Sequence, residues 1–431
     1  MSEMKNTSSQ RFFAVINAGS SSLKYSLFAE TEDGRLERRT DGGIEGIGSD
    51  KPYFIAYDDD KYKMDEYRWE ANEPLETLLG FLIGWIENFL APNHLSAVGH
   101  RMLHGGTLYD EPIIVTPEIL ENLRTLIPLA PLHQPRILKV IDTLADRYPG
   151  LCQIVCFDTS FHKTNPYISR LYGLPQSLTD KGLLHYGFHG LSFEYVSMEL
   201  KHIDRHAAMG RTVIAHLGSG ASMCAMVGGK SIASTMGFSA LDGLVMGTRC
   251  GQLDPGVILY LLQYENMNAK ELETLLYQKS GLLGVSGISN DVRDLMASDA
   301  PSAKTALDLF VYRVVRETGS LAAACGGLDS FVFTAGIGER SPEIRAAICE
   351  QLDWLGLELD ERANRLGELK ISTATSPVSI WILPTYEELM IARHGARLSA
   401  QCETHKHETG NLQDQPAASS SSGQRGLTVN P

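Results

Sequence analysis

Hydrophobic residues recur along this chain with two different periods. RFFAVIN (residues 11–17) is a continuous β-branched and aromatic run. Beyond the polar bend AGSSS the residues alternate from Leu23 to Phe28, which puts Leu23, Tyr25 and Leu27 on one face. Both stretches read as strands. Leu75–Leu90 and Ser302–Cys325 have the length and period of helices. The second carries Leu307, Leu309, Phe310, Val314 and Val315 and closes on Gly326-Gly327, a helix stop. DSFVFTAGIG (329–338) reads as a buried strand running into a glycine turn. One pattern occurs twice. VINAGSSSLKYSLF (15–28) and VIAHLGSGASMCAMV (213–227) each have a Val-Ile strand, a Gly-Ser bend and a second strand. Two similar domains, each offering a glycine-serine hairpin to a shared cleft, would account for the echo.

Bulk composition narrows the class. A chain of 431 residues is long for one core, so two domains are expected. Hydrophobic residues make up 43% and charged ones 21%, ordinary for a globular protein. The net charge of -14 argues against nucleic acid or an anionic membrane as partner. Seven cysteines, an odd number without CxxC spacing, read as reduced and mostly buried thiols. MSEMKNTSSQR lacks the apolar core of a secretory signal. Leu75–Leu90 contains Glu76 and Glu87 and is too short to span a bilayer. A cytoplasmic protein is expected. Residues 1–10 read as a polar lead, and 403–431, nearly free of large apolar side chains, as a disordered tail.

The bend at Gly19–Lys24 raises a phosphate question. A Walker loop needs GxxxxGK[ST] between a strand and a helix. Gly19 and Lys24 have neither the second glycine nor a following helix, and GGKS at 228–231 has Cys224 where the first glycine belongs. The bend reads either as an anion nest of backbone amides and serines or as a plain polar hairpin. Other stretches supply chemistry. VGHRMLHGG (98–106) holds Arg101, and CFDTSFH (156–162) places Asp158 directly after an apolar strand, where a carboxylate projects into a crevice. HYGFHG (185–190) embeds His189, and LVMGTRCGQLDPG (244–256) puts Arg249 on a small-residue turn. SGISNDVRDL (286–295) supplies Asp291 and Arg293. FTAGIGERSPEIR (333–345) is a strand, a glycine turn and a Ser-Pro helix start, a place suited to a nucleotide phosphate or ribose. PTYEELMIAR (384–393) starts a helix with Glu387 and Glu388 in its first turn. Each piece alone has a bland reading as an ion pair, a cap or a core histidine. Together they form a kit for stabilising an anionic phosphoryl transfer.

In order along the chain, NAGSSSLKY, GHRxxHGG, FDTxFH, YGFHG, HLGxGAS, STMGFxxLxGLVMGTRxGxxDPG, GVSGISNDxRD, FTAGIGE and PTxEELMIAR resemble the acetate kinase family of acetate and propionate kinases, over residues 12 to 395. The resemblance implies an α/β fold of two duplicated RNase H-like, actin-like ATPase domains with an active-site cleft between them. It implies an N-terminal domain of residues 11–160 joined by a returning helix at 387–402, and a second domain of residues 161–386 that binds nucleotide and makes the main dimer contacts. The implied reaction is Mg²⁺-dependent, with Mn²⁺ as a substitute, and moves a phosphoryl group from ATP to acetate, giving acetyl phosphate and ADP. A propionate kinase, a phosphohydrolase and a nucleotide-binding scaffold of the same superfamily are the alternatives. A homodimer is implied.

Carried over by motif, Arg101 and Arg249 would hold the carboxylate and the phosphoryl group in flight, and His189 would donate to its oxygens. His133 would assist, and Asp158 would orient an arginine or bear on the metal shell. Asn17 and Glu387 match the magnesium positions, and Ser20, Ser22 and Lys24 approach the phosphoryl end. Leu103, Leu132, Phe188 and Ala240 would wall the acyl pocket. The turn His216, Leu217, Gly218, Ser219, Gly220, the segment Asp291, Val292, Arg293 and the turn Gly336, Ile337, Gly338, Glu339, Arg340 would hold the nucleotide. Several positions depart from the family pattern. Ser219 and Arg340 each replace an asparagine, Leu184-His185 replaces a basic pair, Phe193 a histidine and Tyr386 an asparagine. Leu103 stands where valine is common and Ala240 where proline is common, so acetate and propionate are not separated at this level.

Overall fold

The computed structural model describes residues 10–19 and 21–413, the last eleven by backbone alone. Ser20, the lead at 1–9 and residues 414–431 lie outside the described residues.

Two sheets organise the molecule. The first is built from β1 (Phe12–Ala18), β2 (Ser22–Glu30), β3 (Leu36–Glu45), β4 (Tyr53–Tyr57), β5 (Lys63–Arg68), β6 (Ala97–Met102), β7 (Ile113–Ile114) and β8 (Cys152–Phe157). Its order is β5-β4-β3-β2-β1-β6-β8-β7. The second contains β9 (Arg211–Leu217), β10 (Ala221–Val227), β11 (Lys230–Ser234), β12 (Ser330–Thr334) and β13 (Ser379–Ile382), in the order β11-β10-β9-β12-β13. β1 pairs antiparallel with β2 and parallel with β6, and β6 runs parallel with β8. β9 pairs antiparallel with β10 and parallel with β12, and β12 runs parallel with β13. The run β3-β2-β1-β6-β8 therefore repeats as β11-β10-β9-β12-β13. The sequence echo at 15–28 and 213–227 is the matching first hairpin of each sheet.

Helices cover the sheets because the central strands are apolar on both faces. β8 (CQIVCF) and β12 (SFVFT) are buried along their whole length. The helix Leu75–Leu90 buries Leu78, Leu79, Leu82, Ile83 and Ile86 against Ile16, Leu23 and Tyr25 of the first sheet. The helix Pro301–Cys325 buries Phe310, Val314 and Leu321 with Phe331 and Phe333 of the second, and stops at Gly326 in the left-handed conformation. Both helices lie where periodicity put them.

The chain closes on itself. The helix Glu387–Gln413 packs on β1, β6 and β8, with Met390, Ile391 and Leu398 in one cluster with Phe13, Val15 and Ile154. It reaches β6 because Gly99 has no side chain, and a Cβ there would overlap the Ile391 side chain. The backbone stays helical to Gln413, whereas the composition of 403–431 reads as disorder; Glu387–Ala400 docks on the sheet, and a docked helix can extend beyond its packed part. The cysteine reading also needs correcting. Cys152 of β8 and Cys402 of this helix form a disulfide across 250 positions, which no spacing pattern could reveal. Cys156, Cys224, Cys250, Cys325 and Cys349 are free. Among the described residues, no helix is long and apolar enough to cross a membrane.

Candidate active site

Parallel strands deliver side chains to the crevice at their carboxyl ends. Asn17 sits near the end of β1, Arg101 near the end of β6 and Asp158 one residue beyond β8. His133 is the N-cap residue of the helix Gln134–Arg147. From the other half, His189 precedes the helix Gly190–Ile203 in the left-handed conformation at φ 56°, a backbone state uncommon outside glycine. Arg249 lies in the loop after β11. Its neighbour Gly281 is left-handed at φ 65°, and a Cβ there would overlap the Met246 carbonyl and press on the Arg249 backbone.

These residues converge on a cavity of about 260 Å³ lined by Asn17, Arg101, Leu103, His133, Asp158, Phe188, His189, Gly220, Ala240 and Arg249, together with Ala18, Gly19 and Ile137. Arg101 is clamped from two sides. Its Nε and Nη2 donate to Asp158 Oδ1 and Oδ2 at 2.9 and 2.8 Å, and its Nη1 donates to Glu387 Oε2 at 2.5 Å. Burial opposes its charge, but the two carboxylates hold the guanidinium above its ordinary pKa. Of its five N–H groups, two have no partner among the described residues and remain for a ligand. Arg249 has no carboxylate partner among the described residues. Nη1 donates to the Ala240 carbonyl at 3.0 Å, and burial lowers its pKa. An arginine stays charged under such a shift, so Arg249 presents an unneutralised cation to the cavity.

The histidines here are neutral. Burial, His216 and the cations Arg101 and Arg249 push His189 well below its ordinary pKa. Burial and Arg249 lower His133. Glu387 moves the other way. Burial raises it to about 7 against the pull of Arg101, with Asp158 and Glu388 adding to the rise. Its Oε1 is buried without a hydrogen-bond partner among the described residues, an acceptor open to a cation. No cluster of three or more His, Cys, Asp or Glu side chains suited to a metal occurs among the described residues. Mg²⁺ does not need one, because phosphates and waters complete its shell. An open carboxylate oxygen on the residue that holds Arg101, with Asn17 on the wall of the same cavity, fits such an ion.

A second cavity of about 700 Å³ adjoins the first. Gly218 and Ser219 line the larger one and Gly220 the smaller, so the turn after β9 separates them. Asp291, Val292, Arg293, Gly336, Ile337 and Arg340 also line the larger cavity. Sequence reading did not single out Asn290, Met296, Ala297, Ser341 and Glu343, which lie within or directly after the recognised stretches. Arg293 is folded back on Asp291 through Nε and Nη2. The glycine turn at 335–340 is a short helix, Ala335–Arg340, followed by the expected helix Pro342–Glu350 behind Ser341.

Some expected residues stand apart. Leu132 is 41% exposed and lines neither cavity. Lys24 is exposed on β2 opposite Asn17 and also lines neither. His216, Leu217 and Gly338 are buried behind the turns, and Glu339 accepts from the Thr385 backbone N–H at 3.3 Å. The departures at 184, 193 and 386 have structural roles. Leu184 is buried. Phe193 is fully buried with its ring against His162 and His216. Tyr386 packs on Phe28 and Tyr195 beneath the Arg38 guanidinium.

The repeated five-strand sheet and the cation-lined cavity define an α/β protein with a site for an anionic ligand. The chain belongs to the acetokinase family, whose sequence profile matches residues 12–393. It is 53% identical over 389 residues to the acetate kinase of Rhodopseudomonas palustris strain TIE-1, covering 89% of this chain and 98% of that one. The crystal structure of Porphyromonas gingivalis acetate kinase superposes with a TM-score of 0.82 at 34% identity, covering 90% of this chain and 99% of that one. A propionate kinase from Francisella tularensis superposes with a TM-score of 0.83 at 33% identity, covering 89% of this chain and 98% of that one.

Proposed function

We propose that this chain is an acetate kinase that transfers a phosphoryl group reversibly from ATP to acetate, giving acetyl phosphate and ADP. The observation that carries the reading is the convergence of Arg101, His189 and Arg249 on a small apolar-walled cavity beside a larger one. The small cavity takes the acid, and Leu103, Phe188 and Ala240 enclose its alkyl end. The larger cavity takes the nucleotide, and the 218–220 turn carries its phosphates toward the small one.

A carboxylate is already ionised at neutral pH, so no general base is needed. Its oxygen attacks the terminal phosphorus in line as the bond to the ADP oxygen breaks, and no proton moves. Arg249 and the two free N–H groups of Arg101 neutralise the equatorial phosphoryl oxygens, which carry most of the charge. His189 donates to one of them, and His133 flanks the path. Asp158 acts through Arg101. Asn17 and Glu387 would hold Mg²⁺, directly or through water. The ion, when bound, neutralises phosphate charge.

The reading extends to organisation. Residues 11–160 with 387–402 form one domain and 161–386 the other. The helix Pro255–Gln263 has no buried residue, and Val257, Leu259, Tyr260 and the adjoining Tyr264 are exposed, so this face joins two copies in a homodimer. The acidic chain, without a membrane-crossing helix among the described residues, fits the cytoplasm.

A hydroxylamine trap for acyl phosphate tests the activity. Protein with Mg-ATP and acetate, propionate or butyrate should give acetohydroxamate fastest, and Arg249→Ala should abolish it. Hydroxamate from no acid, with nucleotide still bound, would leave a phosphohydrolase or a binding scaffold as the function.

A further inference from the structure

His189 is gripped by one cross-strand pair. Ser222 of β10 stands in register with His216 of β9. The His216 ring stacks on the face of His189, with centroids 4.2 Å apart and planes 18° from parallel. At the ring edge, Ser222 Oγ lies 2.8 Å from His189 Nδ1. Ser222 is fully buried, and His216 is itself held by Ser192 Oγ at 2.8 Å from its Nδ1. The ring therefore has its face and one edge fixed.

The other ring nitrogen faces the chemistry. A Cβ at Gly220 would stand 3.4 Å from His189 Nε2 and 3.8 Å from Arg249 Nη1. The missing side chain keeps a notch open between the two, on the cavity wall. Nε2 has no hydrogen-bond partner among the described residues.

A neutral imidazole has one proton and two places for it. Burial and the neighbouring cations keep this ring neutral, and its place at a helix N-terminus disfavours the imidazolium further. A phosphoryl oxygen only accepts. The ring is useful to it with the proton on Nε2 and harmful with a lone pair there. The Nε2–H form leaves a lone pair on Nδ1, and that lone pair needs a donor. A hydroxyl rotates to suit, and Ser222 is in place to donate.

We propose that Ser222 sets the tautomer of His189: its hydroxyl donates to Nδ1 and so keeps the ring proton on Nε2, facing the transferring phosphoryl group. Ser222 touches no substrate and is a positioning residue. The proposal rests on the reading of His189 as a donor in the reaction above. Serine at 222 is then required for its hydroxyl and not for its size, because alanine fits the same space but offers Nδ1 no proton.

The test reads the tautomer directly. Long-range ¹H–¹⁵N spectra of histidine-labelled protein without substrates distinguish a protonated from an unprotonated ring nitrogen, and His189→Gln assigns the signal. The wild type should show Nε2–H, Ser222→Ala a mixture of both forms, and Ser222→Thr the wild-type pattern. Kinetics should follow. Ser222→Ala should lose about tenfold in kcat, the worth of one hydrogen bond, with KM for ATP unchanged, and Ser222→Thr should recover it. A wild-type ring protonated on Nδ1, or a Ser222→Ala ring still wholly Nε2–H, would overturn the proposal. Full activity in His189→Gln would instead overturn the donor role of His189 and leave the tautomer assignment standing.

Discussion

Arg101 and Asp158 meet in a two-point ion pair, Nε to Oδ1 at 2.9 Å and Nη2 to Oδ2 at 2.8 Å. β6 and β8 are parallel neighbours, and the Asp158 amide donates to the Met102 carbonyl at 3.0 Å, so the backbone sets the pair before the side chains do. The aspartate carboxylate is 1% exposed and the arginine side chain 21%, so the pair points its cationic end into the cavity.

Asp158→Asn keeps the size and removes the charge. Arg101 then has only Glu387 to hold it. Losing one partner of a buried pair costs about 3 kcal/mol, or roughly 100-fold in kcat/KM if the loss falls on the transition state. Hydroxamate kinetics and a thermal melt on the same variant separate the two effects. An unchanged kcat/KM would show that Arg101 does not need its aspartate.

The acyl wall makes a second prediction. Leu103, Phe188 and Ala240 line the small cavity. Leu103→Ala opens space for another methylene, and one methylene is worth about 1–3 kcal/mol of discrimination. The ratio of kcat/KM for propionate over acetate should rise at least tenfold, and Ala240→Val should lower it. A ratio indifferent to both changes would place the alkyl group elsewhere.

Stability should depend on pH through buried histidines. Burial lowers His100, His104 and His162 to about 4 and His216 to about 3. The unfolded chain takes up protons on these rings near 6.5, while the folded chain does not until near 4. The unfolded state thus binds more protons between these values, and stability falls as pH drops through that window. Each ring contributes a slope of up to about 1.4 kcal/mol per pH unit. Glu387, raised to about 7, opposes this with one group of opposite sign. Urea midpoints should be level above pH 7 and decline from about 6.5 toward 4. A flat profile between pH 5 and 7 would contradict neutral, buried rings.

The exposed face of Pro255–Gln263 makes the fourth prediction. Leu259 is 53% exposed and Tyr264 71%. Leu259→Asp puts a charge into the proposed contact between copies. Light scattering should report a dimer for the wild type and a monomer for the variant, with the helical circular dichroism retained. A wild-type monomer would leave that apolar face unexplained by self-association.

Much of the architecture was legible because it is local. Leu75–Leu90 and the helix ending at Gly326 follow from period and stop signals, and the repeated Gly-Ser hairpin forecast the doubled sheet. Arg101, Asp158, His189 and Arg249 stood out as charged or polar residues set in apolar or small-residue surroundings, a contrast carried by the chain alone. Leu132 stands apart from the small cavity although His133 beside it lines that cavity, and a motif does not encode such a difference in direction. Ser222 was invisible. It is one serine among many, and its meaning comes from a histidine 33 positions away that shares its hydrogen bond. The Cys152–Cys402 bridge was hidden for the same reason, since the returning helix, and not any spacing, brings the two sulfurs together. Periodicity and composition act over a few turns of chain and can be read there. Which nitrogen of His189 meets a hydroxyl, and which two carboxylates clamp Arg101, depend on the packing of strands and helices distant in the chain, and only the folded molecule contains those distances.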